Sequence, residues 1–260
     1  MRRGATALAC LLTGTVLAQT RSPLDLANAS VPSNGRRISY GSDPLQYGEL
    51  RLPTSKGPHP VAIIVHGGCW LAKLGNLDER AISMEMIRPV AAALTDAGIA
   101  TWNVEYRRVG DPGGGWPGSL EDVLRAVEHA RTLAERLVLV GHSAGGHLAL
   151  LAAARVQLPV VAIAAVSDPA TWDHPAVPLL LGDERPAEAS PLAQLPLGAP
   201  QILVHGTADE VVPFDQSERY SEAAGGEAEL VALEGAGHFE PIDPQSPEWT
   251  TVRDAIRRLL

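Results

Sequence analysis

A serine stands between two glycines at Gly141-His142-Ser143-Ala144-Gly145. A serine hydroxyl is a weak nucleophile, and it attacks a carbonyl only when a neighbouring base takes its proton. The five residues follow an apolar run of strand length, Leu137 to Val140, and open an apolar run of helix length from Ala144. A strand–turn–helix of this kind lifts a serine above a sheet on a sharp, strained turn. Glycines at 141 and 145 let the two backbones cross closely, and Gly146 adds room. Short glycine–serine patterns also occur in ordinary turns, so the reading depends on partners elsewhere in the chain.

Where such a turn carries a nucleophile, the order along the chain is serine, acid, histidine. Of the eight histidines, His147, His174, His205 and His238 follow Ser143. His147 belongs to the helix that Ser143 opens and cannot easily reach back over the hydroxyl. His174 lies beside Pro175 in a connecting segment. His205 ends a strand-like run just before an acid candidate. His238 sits in Gly235-Ala236-Gly237-His238-Phe239, a loop after the last strand-like run, and is the expected base. The expected acid is Asp209, directly after the run Gln201 to Val204, where its carboxylate would fix the His238 tautomer and stabilise the imidazolium. Asp168, after the run Val160 to Val166, is the alternative, since it also falls on the carboxyl rim of the strands. Glu210 is expected to point elsewhere, and Asp215 and Asp243 read as solvated surface acids.

Acyl transfer also needs donors for the developing oxyanion. His66-Gly67-Gly68-Cys69-Trp70 follows the run Val61 to Val65. Its consecutive glycines allow backbone N–H groups to turn inward. Gly68 and Cys69 are the expected donors, with Ala144 supplying the third N–H and Gly67 serving the turn. Trp70 and Trp172 are candidates for lining a substrate pocket, or for packing beneath a loop. Cys69 lacks a base nearby in sequence, which leaves Ser143 the better nucleophile.

These groups must be held by alternating strands and helices. Largely apolar runs of strand length, at 61–65, 99–104, 137–140, 160–166, 201–204 and 229–233, suit a parallel sheet covered on both faces. An antiparallel pair is expected within 36–52. Helices are expected over 81–96, with Pro89 as a kink, and over 120–135, 144–156, 213–224 and 248–260. That alternation gives a three-layer α/β fold in one domain. The glycine-rich segment 111–118 reads as a mobile loop.

Composition agrees and narrows the function classes. The chain has 260 residues, 45% of them apolar, and a net charge of −9. The acidic balance argues against a nucleic-acid partner, and the lack of a long apolar run argues against a membrane span. Two cysteines can build neither a disulfide framework nor a four-cysteine zinc site. The first residues read separately. Met1-Arg2-Arg3, an uncharged stretch to Ala18 and small residues before it make an export signal over 1–18, cleaved after Ala18. Lipid attachment at Cys10 is disfavoured by the residues before it. Cleavage would leave Cys69 as the sole cysteine and a net charge of −11. Residues 19–35 read as a linker or loose arm, and 36–260 as the domain. Asn28-Ala29-Ser30 matches a glycosylation acceptor in a host that glycosylates.

The chain resembles the α/β-hydrolase superfamily, and within it the branch of kynurenine formamidase-like proteins and small feruloyl and acetyl-xylan esterases. The segments that carry the likeness are 66–70, 141–147, His205-Gly206-Thr207-Ala208-Asp209 and 235–239, with Glu105-Tyr106-Arg107 and Ser190-Pro191. The resemblance implies a mostly parallel sheet of about eight strands with helices on both faces. It also implies a Ser143–Asp209–His238 triad that needs no metal and no cofactor. The activity it implies is hydrolysis of carboxylic esters through an acyl-enzyme. The stretch from Ser167 to Pro196, too short for a large cap, suits small or polymer-borne esters, and the export signal suits a secreted or periplasmic protein. The alternatives on the same triad are an arylformamidase and a small serine peptidase; an exported chain fits the intracellular formamidase role badly. A binding protein with a decayed site is the non-catalytic rival.

Overall fold

The computed structural model describes residues 21–32, 34–183 and 186–260. The expected export signal, its cleavage point and Cys10 lie outside the described residues. Eight strands form one sheet: β1 (Arg36–Ser39), β2 (Tyr47–Arg51), β3 (Val61–Val65), β4 (Ala100–Val104), β5 (Leu137–His142), β6 (Val160–Ile163), β7 (Gln201–Gly206) and β8 (Ala228–Leu233). Their order across the sheet is β1-β2-β4-β3-β5-β6-β7-β8. The β1–β2 and β2–β4 pairs are antiparallel, and the rest of the sheet is parallel. Every residue of β3 through β7 is buried, as in a parallel sheet covered on both faces, and the polar residues of β4, Thr101 and Asn103, are buried too.

Seven α-helices cover the two faces: α1 (Pro23–Ala27), α2 (Arg88–Asp96), α3 (Gly118–Ala130), α4 (Ala144–Val156), α5 (Ala176–Leu181), α6 (Asp215–Ala224) and α7 (Trp249–Arg258). Successive residues of β3 alternate between two cores. Val61, Ile63 and Val65 pack with residues of α3, α4, α5 and α6, among them Val123, Leu148, Val177 and Tyr220. Ala62 and Ile64 pack with Leu26 of α1, Leu94 of α2 and Ile256 of α7. The helix expected over 81–96 is divided: a 3-10 turn at Glu79–Ile82 precedes α2. Pro89 lies in the first turn of α2, where a missing N–H leaves no hydrogen bond unmade, so it starts the helix and does not kink it.

Two segments are better held than their sequences suggest. Within the arm expected at 19–35, α1 is closed by a reciprocal capping box between Ser22 and Asp25, and Leu26 is buried. The loop 111–118 folds tightly onto the chain after β4. A side-chain carbon at Gly114 would fall 2.0 Å from the Arg108 carbonyl oxygen, and Ser119 Oγ donates to the Arg107 carbonyl at 2.6 Å.

A close backbone crossing joins α4 to the end of β3. A Cβ on Gly145 would sit 2.2 Å from the Val65 carbonyl oxygen and 2.3 Å from that of His66. Both obstacles are backbone atoms, which cannot swing aside. Gly145→Ala should therefore cost about 1–3 kcal/mol of stability through overpacking, read as a lowered urea midpoint with an unchanged slope.

Candidate active site

The parallel register brings the carboxyl ends of the strands to one rim. Val65 pairs with Val104 and with Gly141, and Ile163 pairs with both His142 and Val204. His66, Ser143 and Asp209 thus leave neighbouring or next-neighbouring strands at one edge. Ser143 sits between β5 and α4 at φ 55°, ψ −122°. Such a backbone is strained for a residue with a side chain. Its N–H donates to the Ile163 carbonyl at 2.9 Å and its carbonyl accepts from His147 N–H at 3.1 Å, so the turn is tied at both ends.

Ser143 and His238 line one apolar cavity of about 70 Å³, together with Gly68, Cys69 and Phe239. His238 Nδ1 donates to Asp209 Oδ2 at 2.7 Å. The other carboxylate oxygen, Oδ1, accepts from the backbone N–H groups of Val211 at 2.8 Å and Val212 at 2.9 Å. His205 Nε2 lies 3.2 Å from Asp209 Oδ2 and 3.0 Å from the Val212 carbonyl oxygen, two acceptors, so that nitrogen carries hydrogen. Burial alone would raise the Asp209 pKa; the adjoining His238 and His205 overcome it and hold the carboxyl well below the usual range. Gly206 makes the junction possible, since a Cβ there would fall 2.2 Å from the Ala236 carbonyl oxygen of the histidine loop. Asp168 is occupied elsewhere: it accepts from Ser190 Oγ at 3.1 Å and pairs with Arg219 at 3.7 Å. Of the two acid candidates, the structure therefore brings Asp209 to His238.

The loop after β3 curls against the elbow. Gly68, Cys69 and Trp70 have φ of 109°, 55° and 59°. A Cβ on Gly67 would come within 3.1 Å of Ser143 Cβ, and one on Gly68 within 2.6 Å of the Ile82 carbonyl oxygen. Trp70 and Trp172, read as candidate pocket residues, do not line the Ser143 cavity. Trp70 is fully buried; its indole N–H, 3.2 Å from both the Ala144 carbonyl oxygen and His147 Nδ1, clamps the loop to α4. Trp172 packs edge-on against Trp70 and stacks on His174. Asp243, expected on the surface, is buried and paired with Arg21 at 3.1 Å, whereas Asp215 is exposed. A larger cavity of about 330 Å³ lies beside Asp168, Ala189, Ser190 and Leu192, and neither Ser143 nor His238 lines it.

Two supports escaped the sequence reading. Glu105 follows β4 as His66 follows β3, so the register that pairs Val65 with Val104 sets them side by side. His66 Nε2 donates to Glu105 Oε1 at 2.9 Å, and the other oxygen accepts from Met84 N–H at 3.2 Å. Burial would raise the Glu105 pKa, but His66 and, at 3.8 Å, Arg108 hold it below the usual value. The second is His142. Its Nε2 donates to the His238 carbonyl at 2.9 Å, and the two rings lie 4.6 Å apart. Burial, aided by the nearby His238, pushes the His142 pKa down to about 3.

Comparison with known proteins fits this geometry. A family model described as serine hydrolase matches residues 115–258, more than half of the chain. The chain belongs to the serine hydrolase family. A second family model, BD-FAE, matches residues 49–161. Esterase LipC of Mycobacterium tuberculosis is 28% identical over 255 residues, covering 80% of this chain and 60% of its own. The chain thus spans less than two thirds of that relative. The uncharacterized protein Rv2307c of the same organism is 26% identical over 92% of this chain and 83% of its own. Among solved structures, a bacterial heroin esterase superposes with a TM-score of 0.69 at 22% identity, over 90% of this chain and 86% of its own. A truncated carbohydrate esterase from gut microbiota gives 0.69 at 22%, over 86% and 94%. These likenesses establish the α/β-hydrolase fold.

The depressed His142 pKa has a signed consequence. An unfolded histidine takes up a proton below about pH 6.5, whereas folded His142 stays neutral down to about 3. The stability tied to this ring is complete above the unfolded value and is lost as pH falls across that window. Between about pH 7 and pH 4, the thermal midpoint of the parent should therefore fall further than that of His142→Gln, which cannot titrate there.

Proposed function

We propose that this serine hydrolase cleaves carboxylic esters through Ser143, His238 and Asp209. The observation that carries the reading is the 2.7 Å bond from His238 Nδ1 to a buried carboxylate, with His238 and the strained Ser143 opening onto one cavity. With Nδ1 committed to Asp209, the Nε2 lone pair is left to take the Ser143 proton. Ser143 Oγ bonds to the ester carbonyl carbon as His238 accepts that proton. The oxyanion is held by N–H groups of Gly68, Cys69 and Ala144. The carbon–alkoxide bond then breaks, and His238 returns the proton to the leaving oxygen, giving the free alcohol and an acylated Ser143. Water attacks the acyl group, its proton passes through His238 to Ser143 Oγ, and the carboxylic acid leaves.

Esterase relatives and esterase-fold neighbours support an ester substrate over an amide. The basic, then uncharged, first eighteen residues support export; N-terminal sequencing of the exported chain should then begin at Gln19, and an intact Met1 would contradict it.

On a panel of p-nitrophenyl esters, Ser143→Ala should abolish turnover above background, and Asp209→Asn should lower kcat by roughly four powers of ten with KM little changed. Asp168→Asn should leave kcat within a few-fold of the parent. A larger loss at Asp168 than at Asp209 would overturn the acid assignment, and an N-formyl arylamide turned over faster than every ester would move the reading to an amidohydrolase.

A further inference from the structure

The cavity over Ser143 is completed by a segment outside the strand–helix alternation. Leu74, Ile82, Met86 and Phe239 form apolar walls, and Pro23 of α1 closes the lining. Pro23 is held there by several independent contacts. Leu26, 1% exposed, anchors α1 in the core shared with α2 and α7. Arg21 pairs with Asp243 at 3.1 Å on one side of α1, and on the other Arg80 donates to Asn28 Oδ1 at 3.0 Å. The short helix is thus fastened at both ends across the mouth of the site.

We propose that α1 is the outer wall of the substrate cavity and limits the ester, on this side of Ser143, to a short apolar chain. The inference rests on the assignment of Ser143 as nucleophile. A cavity of about 70 Å³ is several times the roughly 10–15 Å³ that holds one water, which leaves room for a chain of a few carbons. The walls carry no group that could compensate a charged or hydroxylated arm, so such an arm would be desolvated without a partner. The polar atoms gather where the reacting carbonyl would lie, at Ser143 and His238.

The test uses the whole chain and two substrate series: p-nitrophenyl acetate, butyrate and octanoate, and acetates of methyl, butyl and octyl alcohol. In the parent, kcat/KM falls from the short to the long member of the series whose variable arm enters the cavity. Pro23→Ala, which thins the wall, and Leu26→Ser, which loosens α1, should each raise the long-to-short ratio in that series by about tenfold. Pro23→Trp should lower the same ratio, a change of opposite sign that a general folding defect cannot produce. A shift in the first series assigns the cavity to the acyl arm and one in the second to the alcohol arm, and either supports the wall. Esters hydrolysed with a ratio unmoved in both series by all three variants would overturn the wall and leave the nucleophile assignment standing. A parent inactive on every ester would overturn that assignment and the wall with it.

Discussion

The backbone of Ser143 is the constraint on which the site depends. A side chain at φ 55°, ψ −122° is held only where the surroundings leave no alternative. Here β6 pins it through the Ile163 carbonyl, α4 begins at once, and Gly145 lets α4 press onto the carbonyls that end β3. The same contact that strains the serine brings the loop after β3 against it. Gly67 lies close against Ser143, and Gly68 and Cys69 share its cavity, while Trp70 is buried and hydrogen-bonded to α4. The fold thus places the candidate nucleophile and the candidate oxyanion donors with one packing arrangement.

A second arrangement holds the charge. Asp209 is buried, yet all its acceptor capacity is met: two backbone amides on one oxygen, two imidazoles on the other. A buried carboxylate satisfied in this way stays ionised and fixes which nitrogen of His238 carries hydrogen. His142 holds the same loop from below by donating to the His238 carbonyl, and burial keeps its ring neutral. Glu105 plays the matching part on the other side, gripping His66 at the root of the glycine loop. Three further histidines hold the site's loops and acid in place: His66 at the root of the glycine loop, His205 on Asp209, and His142, which also lines the cavity, on the His238 carbonyl.

Much of this was legible in the sequence, for identifiable reasons. Largely apolar runs marked β3 to β7 because a parallel sheet is buried on both faces, although β4 carries Thr101 and Asn103. The glycine spacing around Ser143 marked the elbow because the close crossing there admits no side chain. Asp209 was preferable to Asp168 from its place directly after the run Gln201 to Val204, but only the fold showed that Ser190 and Arg219 occupy Asp168. Supports such as Glu105 and His142 were harder to read. Their roles follow from strand register, which pairs Val65 with Val104, and from a loop far along the chain folding back onto β5. The two tryptophans were ambiguous for a related reason: aromatic residues beside a catalytic loop serve equally well as pocket walls or as packing, and burial decides. The docking of α1 left little trace, because a single leucine and a capping box in a polar stretch do not distinguish a fastened helix from a loose arm.

The central claim is that Ser143 is the nucleophile, activated by His238. It is tested most directly by treating the purified chain with a fluorophosphonate and mapping the adduct by peptide mass spectrometry. One phosphonyl group per chain is expected on the Ser143 peptide, with labelling slowed by several powers of ten in His238→Ala. An adduct on another residue, or equally rapid labelling without His238, would contradict it.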